Sequence, residues 1–305
     1  MRRRLRPGRS ASVRQWRGAL DRRRWLPCYI VRVSIFDLTL PEKLRPVLVE
    51  VPHAGQLVPE DVRPQLCAPE DAMRRDADMY VDRLYARAPT LGAGLLIANV
   101  SRYVVDLNRA REDVDAATVS DHPAPGGAQP RGVVWRATTD GRPILTGPLS
   151  YRALLSRLEH YYVPYHDALR RALETLRERF GFAILVCGHS MPSVGRLLHT
   201  DAGTTRADVV PGTRGRSSAD ARVIDLVDAH FRAAGLSVQH DEPYKGGFST
   251  VHYGRPRAGW HAIQIELNRA LYVNEETGVP KAGDFERLQA LLDALVEKLC
   301  TLDLR

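Results

Sequence analysis

The chain has 305 residues, 44% of them hydrophobic and 26% charged, enough to bury one large α/β core or two small ones and too apolar for a wholly disordered polymer. Its longest apolar runs, such as Phe182 to Cys187, fall far short of the roughly 18–20 residues of a membrane-crossing helix. Cys28, Cys67, Cys187 and Cys300 are scattered without a CxxC pair, which excludes a disulfide framework or a thiolate zinc finger and fits a reducing, cytoplasmic setting.

The net charge of +8 sits at one end: ten arginines and Asp21 give residues 1–25 a charge of +9, leaving −1 for the other 280. We read residues 1–30 as a basic, unstructured extension without the apolar core of a secretory signal. Neither a nucleic acid nor a membrane is an expected partner; the oligomeric state is not readable. Residues 31–305 read as a single α/β hydrolytic domain in which short apolar runs alternate with amphipathic ones, as in parallel strands covered by helices. Val47 to Val51 predicts a strand running into the turn Pro52 to Gly55. A helix over 69–88 follows, with Met73, Ala77, Val81, Leu84 and Ala88 at helical spacing, then a strand over Leu95 to Val100. Residues 111–148 are rich in Gly and Pro without apolar periodicity and read as a long loop, a candidate lid. Ser150 to Phe180 predicts a helix kinked at Pro164, Phe182 to Cys187 a buried strand, and Ser217 or Ser218 the cap of a helix ending at Gly235. A Gly-rich loop over 244–256, a strand from His261 to Leu267 and a closing helix from Asp284 to Cys300 complete the pattern.

Reactive side chains gather where these strands end, the place where open α/β sheets bind ligands. His53 follows the first strand, Arg102, Asn108 and Arg109 follow the second, His189 and Ser190 the third. Two arginines favour an anionic substrate, because a guanidinium pairs bidentately with a carboxylate or phosphate, although either could instead be a surface charge or a partner for Asp106. In Ile263 to Asn268, alternation puts Gln264, Glu266 and Asn268 on one face and Ile263, Ile265 and Leu267 on the other. Burial raises the pKa of such a carboxyl and suits Glu266 to general-base work. Two strand-end histidines and one carboxylate would form a three-ligand zinc site open to water. His122, His160, His166, His199 and His252 read as structural. Within the predicted helix, Asp78 borders the buried stripe and Asp76 points more toward water.

Taken together, Val51-Pro52-His53-Ala54-Gly55, Asp76-Ala77-Asp78 with Val81 to Tyr85, Ser101-Arg102-Tyr103 leading to Asp106-Leu107-Asn108-Arg109, Gly188 to Pro192, Lys245 to Phe248, Tyr253-Gly254 and Gln264 to Leu267 resemble the N-formylglutamate amidohydrolases over roughly residues 46 to 300. That family is similar in fold to zinc carboxypeptidases and aspartoacylases. The resemblance implies a mixed, mostly parallel central sheet with helices on both faces and a Zn2+ ion held by His53, His189 and an acid. It also implies Glu266 as general base and then acid, Arg102 on the oxyanion, and Asn108 and Arg109 on a carboxylate of an acidic N-acyl amino acid. N-formylglutamate would yield glutamate and formate. Carboxypeptidase-like sites carry His-x-x-Glu, whereas Gln56 stands three residues after His53, so the acid comes from elsewhere: Asp78 first, Asp76 in reserve. Cys187 stands where the family usually has an acid two residues before the second histidine.

Two other readings compete. Gly188 to Pro192 comes close to the G-x-S-x-G elbow of serine hydrolases, with Ser190 as nucleophile and Asp241 and His261 downstream, yet Pro192 replaces the last glycine and Glu266 is left without a task. A non-catalytic binder of an acidic ligand is the third reading.

Overall fold

The computed structural model describes residues 34–305; the basic stretch read as an extension lies outside them. Six strands form one sheet: β1 (Phe36–Thr39), β2 (Val47–Val51), β3 (Gly94–Ala98), β4 (Ala183–Met191), β5 (Val209–Gly212) and β6 (Trp260–Asn268). Their order is β1-β3-β2-β4-β6-β5, with β3, β2, β4 and β6 parallel and the two edge strands antiparallel to their neighbours. A mixed, mostly parallel sheet is thus what the chain forms.

Period-two alternation sorts its side chains. Val47, Val49, Val51, Ile184, Val186, Ile263 and Ile265 face one core, packed by α2 (Val81–Leu84), α5 (Ala221–Ala233) and α7 (Asp284–Thr301). Leu48, Leu185, Cys187 and Ala262 face the other, covered by α3 (Tyr151–Arg157) and α4 (Val163–Phe180). Both faces are therefore dry, which is why the strands are buried along their whole length. Among the described residues no helix is long and apolar enough to cross a membrane.

Three predicted elements differ in detail. The helix expected over 69–88 is two short pieces, α1 (Glu70–Asp76) and α2, because the chain turns at Ala77 to Tyr80 and Tyr80 takes a left-handed conformation with φ 63°. Its hydroxyl donates to the Gly278 carbonyl at 2.9 Å, which holds this unfavourable backbone in place. The expected kink at Pro164 is a π-turn over Leu158–Tyr162, which relieves the clash of the proline ring with the preceding turn before α4 resumes; Gly181, with φ 86°, closes α4. The cap of α5 is Asp220, whose side chain accepts from the Arg222 amide, rather than Ser217 or Ser218. Residues 111–148 do lack helices and regular strands, but they are not a loose flap: Val114, Val119, Val133, Val134, Trp135 and Ile144 are buried in the α4-side core.

Candidate metal centre

β2 ends at Val51, and His53 lies two residues on, its carbonyl accepting from the Asp78 amide at 3.0 Å. That bond, with the break between α1 and α2, swings the Asp78 carboxylate beneath the strand ends. His189 is on β4 itself, paired in register with Glu266 on β6, so both side chains leave the same sheet face next to each other. His189 Nδ1 is 2.9 Å from Asp78 Oδ2, His53 Nδ1 is 3.5 Å from the same oxygen, and the two imidazole centroids are 4.9 Å apart. One ligand atom from each of the three buried residues lies within 4.8 Å of the others.

The donor set suits a divalent cation. His53 Nε2 is 2.8 Å from Asp106 Oδ1, so that nitrogen carries the ring proton and Nδ1 keeps its lone pair. Nδ1 is buried, has no hydrogen-bond partner among the described residues, and faces an oxygen that also only accepts. Two acceptors held face to face out of water are costly unless a cation lies between them. Two imidazoles and a carboxylate match a zinc site with an open position, and the carboxylate behind His53 is the usual support for such a ligand. Burial alone would raise the Asp78 carboxyl, but the hydrogen bond from His189 and the nearness of both imidazoles outweigh it and hold it well below the ordinary range. Burial alone would lower the His189 imidazole, yet the bond to Asp78 and the charges of Glu266 and Asp78 raise it; a metal ion held by His189 would require the imidazole to give up a proton.

Asp106 is a hub. Fully buried, it accepts on Oδ1 from His53 and the Asn108 amide (2.9 Å), and on Oδ2 from Arg102 Nη2 (2.8 Å), Arg102 Nε (3.3 Å) and Trp135 Nε1 (3.0 Å). Desolvation would raise its pKa, but Arg102 first and His53 next bring it well below the usual value. The Arg102 guanidinium stacks on Trp135 at 4.3 Å, and its Nη1 donates a long bond to the Asp76 carbonyl at 3.4 Å and lies 3.8 Å from Asp78 Oδ1, which makes that arm the more weakly held.

Glu266 stands apart from the hydrogen bonds among His53, Asp78 and His189 and, among the described residues, has one side-chain hydrogen-bond partner, Gln264 Nε2, at 2.9 Å. Burial pushes its carboxyl up; the Asp78 charge adds to this while His189, His53 and Arg102 oppose it. The Gln264 amide is itself oriented: its Oε1 accepts from the Gly247 amide (2.9 Å) and from Asn108 Nδ2 (3.1 Å). Asn108 Oδ1 accepts from the Ser249 amide (3.0 Å), and its Nδ2 is 3.2 Å from His189 Nε2. Gly247 has to be glycine, since a Cβ there would meet the Asn108 amide at 2.4 Å.

The sequence-predicted residues His53, Asp78, Arg102, Asn108, Arg109, His189 and Glu266 all line one cavity of about 580 Å³. Arg109 lies on its wall with a loose contact to Asp113 at 3.8 Å. Asp76 corrects the expectation that it faces water: it is buried and spent on Tyr103 (2.7 Å), Arg196 (2.9 Å) and Thr139 (3.0 Å to the amide), so it ties α1 to the 111–148 segment instead of joining the three-residue cluster. The serine-hydrolase reading is also corrected. Ser190 Oγ accepts from Arg269 Nε at 3.1 Å, Asp241 is occupied by the amides of Thr213, Arg214 and Gly215, and His261 accepts from the Asp220 amide. In register, Ser190 pairs with Leu267, six residues along β6 from His261, or about 20 Å at strand rise. Sequence reasoning missed Gln264 as the partner of Glu266, although it lies two positions before it on the same face. It also missed Trp135 and Arg131, hidden in a segment without periodicity. An acid does stand beside Cys187: Glu50, its register partner on β2, is fully buried, and burial raises its carboxyl.

A mostly parallel α/β sheet with two histidines and an aspartate that could hold a metal ion, and a separate buried carboxylate at its strand ends under an arginine-lined cavity, has the make-up of a hydrolase. The chain belongs to the N-formylglutamate amidohydrolase family, whose model matches residues 45–273. It is 32% identical over 261 residues to the N-formylglutamate deformylase of Pseudomonas aeruginosa and 34% identical over 261 residues to that of Pseudomonas putida, in each case over 83% of this chain and 92% of the relative. The crystal structure of N-formylglutamate amidohydrolase from Ralstonia eutropha JMP134 superposes with a TM-score of 0.79 at 31% identity, covering 88% of this chain and 97% of the other. A gene product of Agrobacterium tumefaciens shares the fold, with a TM-score of 0.65 at 20% identity over 87% of this chain and 94% of that one.

Proposed function

We propose that the protein hydrolyses the formyl amide of N-formylglutamate, releasing glutamate and formate, with a zinc ion held by His53, Asp78 and His189. We also place its architecture alongside the zinc carboxypeptidases and aspartoacylases. The observation that carries the reading is the unpartnered His53 Nδ1 facing Asp78 and His189, with Glu266 beside them in register with His189. A bound zinc ion would act as Lewis acid and lower the pKa of a water molecule in the site.

The protein's own groups do the rest. Glu266, raised by burial and in no ion pair among the described residues, accepts the proton of the water that attacks the formyl carbon and passes it to the departing amine. Nη1 of Arg102, the more weakly held arm, donates to the oxygen on which charge develops, and Asp106 and Trp135 fix the guanidinium before substrate arrives. Arg109 receives a carboxylate of the substrate. Asn108, whose amide hydrogens point at Gln264 and His189, orients those two residues. Trp135 and the packed 111–148 segment keep water from one wall.

The test is formate release from N-formyl-L-glutamate by purified protein whose metal content has been measured. Removal of the metal by a chelator should abolish release and added Zn2+ restore it; metal-loaded protein that releases no formate would refute the reading.

A further inference from the structure

The cavity wall is richer in cations than deformylation requires, and they are not equally committed. Arg102 is paired with Asp106 at 2.8 Å and Arg196 with Asp76 at 2.9 Å. Arg269, buried, is held by the carbonyls of Arg75 and Ala77 at 2.7 Å each. Arg109 has its carboxylate at 3.8 Å. Arg131 differs from all of these. Among the described residues it forms no ion pair with an acid, as is true also of the exposed Arg214 and Lys245 on the same wall, but unlike them it has a buried Nε without a hydrogen-bond partner.

Its position is nevertheless fixed. One amine donates to the Leu198 carbonyl, and the guanidinium lies 5.7 Å from the Trp135 ring centroid, the ring on which Arg102 also stacks. Burial lowers its pKa, and the charges of Arg102 and Arg109 lower it further, so three guanidinium groups repel one another across one wall. Holding an arginine half-buried beside like charges is unfavourable unless an anion is bound there. The planar fork matches a carboxylate in particular.

We propose that Arg131 is the specificity-determining residue for a second substrate carboxylate, the one on the side chain of the N-acyl amino acid, while Arg109 takes the α-carboxylate. This rests on the deformylase reading and adds to it the residue that reads the side-chain charge of the substrate. Arg131 belongs to the irregular segment on which Trp135 and Thr139 also sit, so that segment selects the substrate's side chain while the strand ends perform the chemistry.

The experiment compares N-formyl-L-glutamate with N-formyl-L-glutamine, which keeps the shape and the α-carboxylate and loses the side-chain charge. Zinc-loaded wild-type protein should prefer glutamate in kcat/KM by about 10- to 100-fold, the range expected from one charge-assisted hydrogen-bonded pair. Arg131→Met should bring that ratio to within about threefold of one, Arg131→Lys should keep part of it, and Arg109→Met should lower both substrates together with the ratio intact. A wild-type ratio near one, or Arg131→Met lowering both substrates equally, overturns the assignment. Calorimetric binding of the two compounds to wild type and Arg131→Met reads the same ratio without turnover. Absence of formate release with a charge preference that Arg131→Met removes would therefore count against deformylation alone.

Discussion

Replacing Asp106 by asparagine changes one oxygen to an amine and nothing in shape, yet the structure makes it a severe change. All five groups around the carboxylate are donors: the His53 ring, the Asn108 amide, Trp135 Nε1 and two nitrogens of Arg102. Whichever way the new amide turns, its NH2 faces at least two of them. Turned toward Oδ1 it meets His53 and Asn108, and turned toward Oδ2 it meets Arg102 and Trp135. The largely buried Arg102 charge also loses its nearest counter-charge, with only Asp78 at 3.8 Å remaining, a change that costs about 3–5 kcal/mol when one partner of a buried pair is removed. For a domain of roughly 270 residues, with an unfolding entropy near 2.1 cal/mol/K per residue, that corresponds to a fall in Tm of about 5–9 °C. His53 loses the partner that fixes its proton on Nε2, which should weaken metal binding by about 10- to 100-fold. Differential scanning calorimetry of the metal-free protein and competition with a zinc-sensitive chelator measure the two effects separately. A variant within about 1 °C and threefold of wild type would show that Asp106 supports neither Arg102 nor His53 as argued.

Further outcomes follow from the same geometry. Glu266→Gln should lower kcat by about 10²- to 10⁴-fold with bound metal retained and KM changed less than threefold; steady-state kinetics with metal analysis decide, and a large rise in KM at unchanged kcat would contradict a role in proton transfer. A serine-directed phosphonate should leave activity intact while a chelator removes it, since Ser190 has no base beside it; inactivation by the phosphonate in a formate-release assay would revive the nucleophile. His166, on α4 and buried against α6 (Phe248–Tyr253), is brought down to about 3 by burial. Its folded pKa lies below the unfolded value of about 6.5, so the unfolded chain binds the extra proton and stability is lost as pH falls through that window. Between pH 7 and 5 this amounts to about 2 kcal/mol, and urea unfolding of metal-free His166→Gln should show an acid-induced loss smaller by about that amount.

What could be read from the sequence was whatever repeats with the period of a regular element. The valines of β2 and the Ile263, Ile265, Leu267 alternation of β6 placed the strands and put Glu266 on the correct face before any coordinates. Strand ends then indicated where His53 and His189 would meet. Asp78 was legible as a candidate, but its surroundings were not, because the apolar spacing of 73 to 88 predicts one helix. The turn at Tyr80 depends on a hydrogen bond to Gly278, some 200 residues away. Asp76 was misplaced for a similar reason: its partners Thr139, Tyr103 and Arg196 come from three distant segments. The 111–148 segment has no period to read, and its buried side chains are positioned by contacts with α4 and the sheet instead of by local propensity.

The in-register pairing of His189 with Glu266 also bears on how this chain can change. Because both residues are fixed by backbone pairing, deleting a single residue inside β4 or β6 turns one of the two side chains through the sheet into the apolar layer against α5 and α7. Lengthening the connections between these strands by several residues leaves their alignment intact. Evolutionary gaps and laboratory insertions should accordingly be tolerated between β5 and α5 yet be absent from the nine-residue strands, however conservative the inserted amino acid.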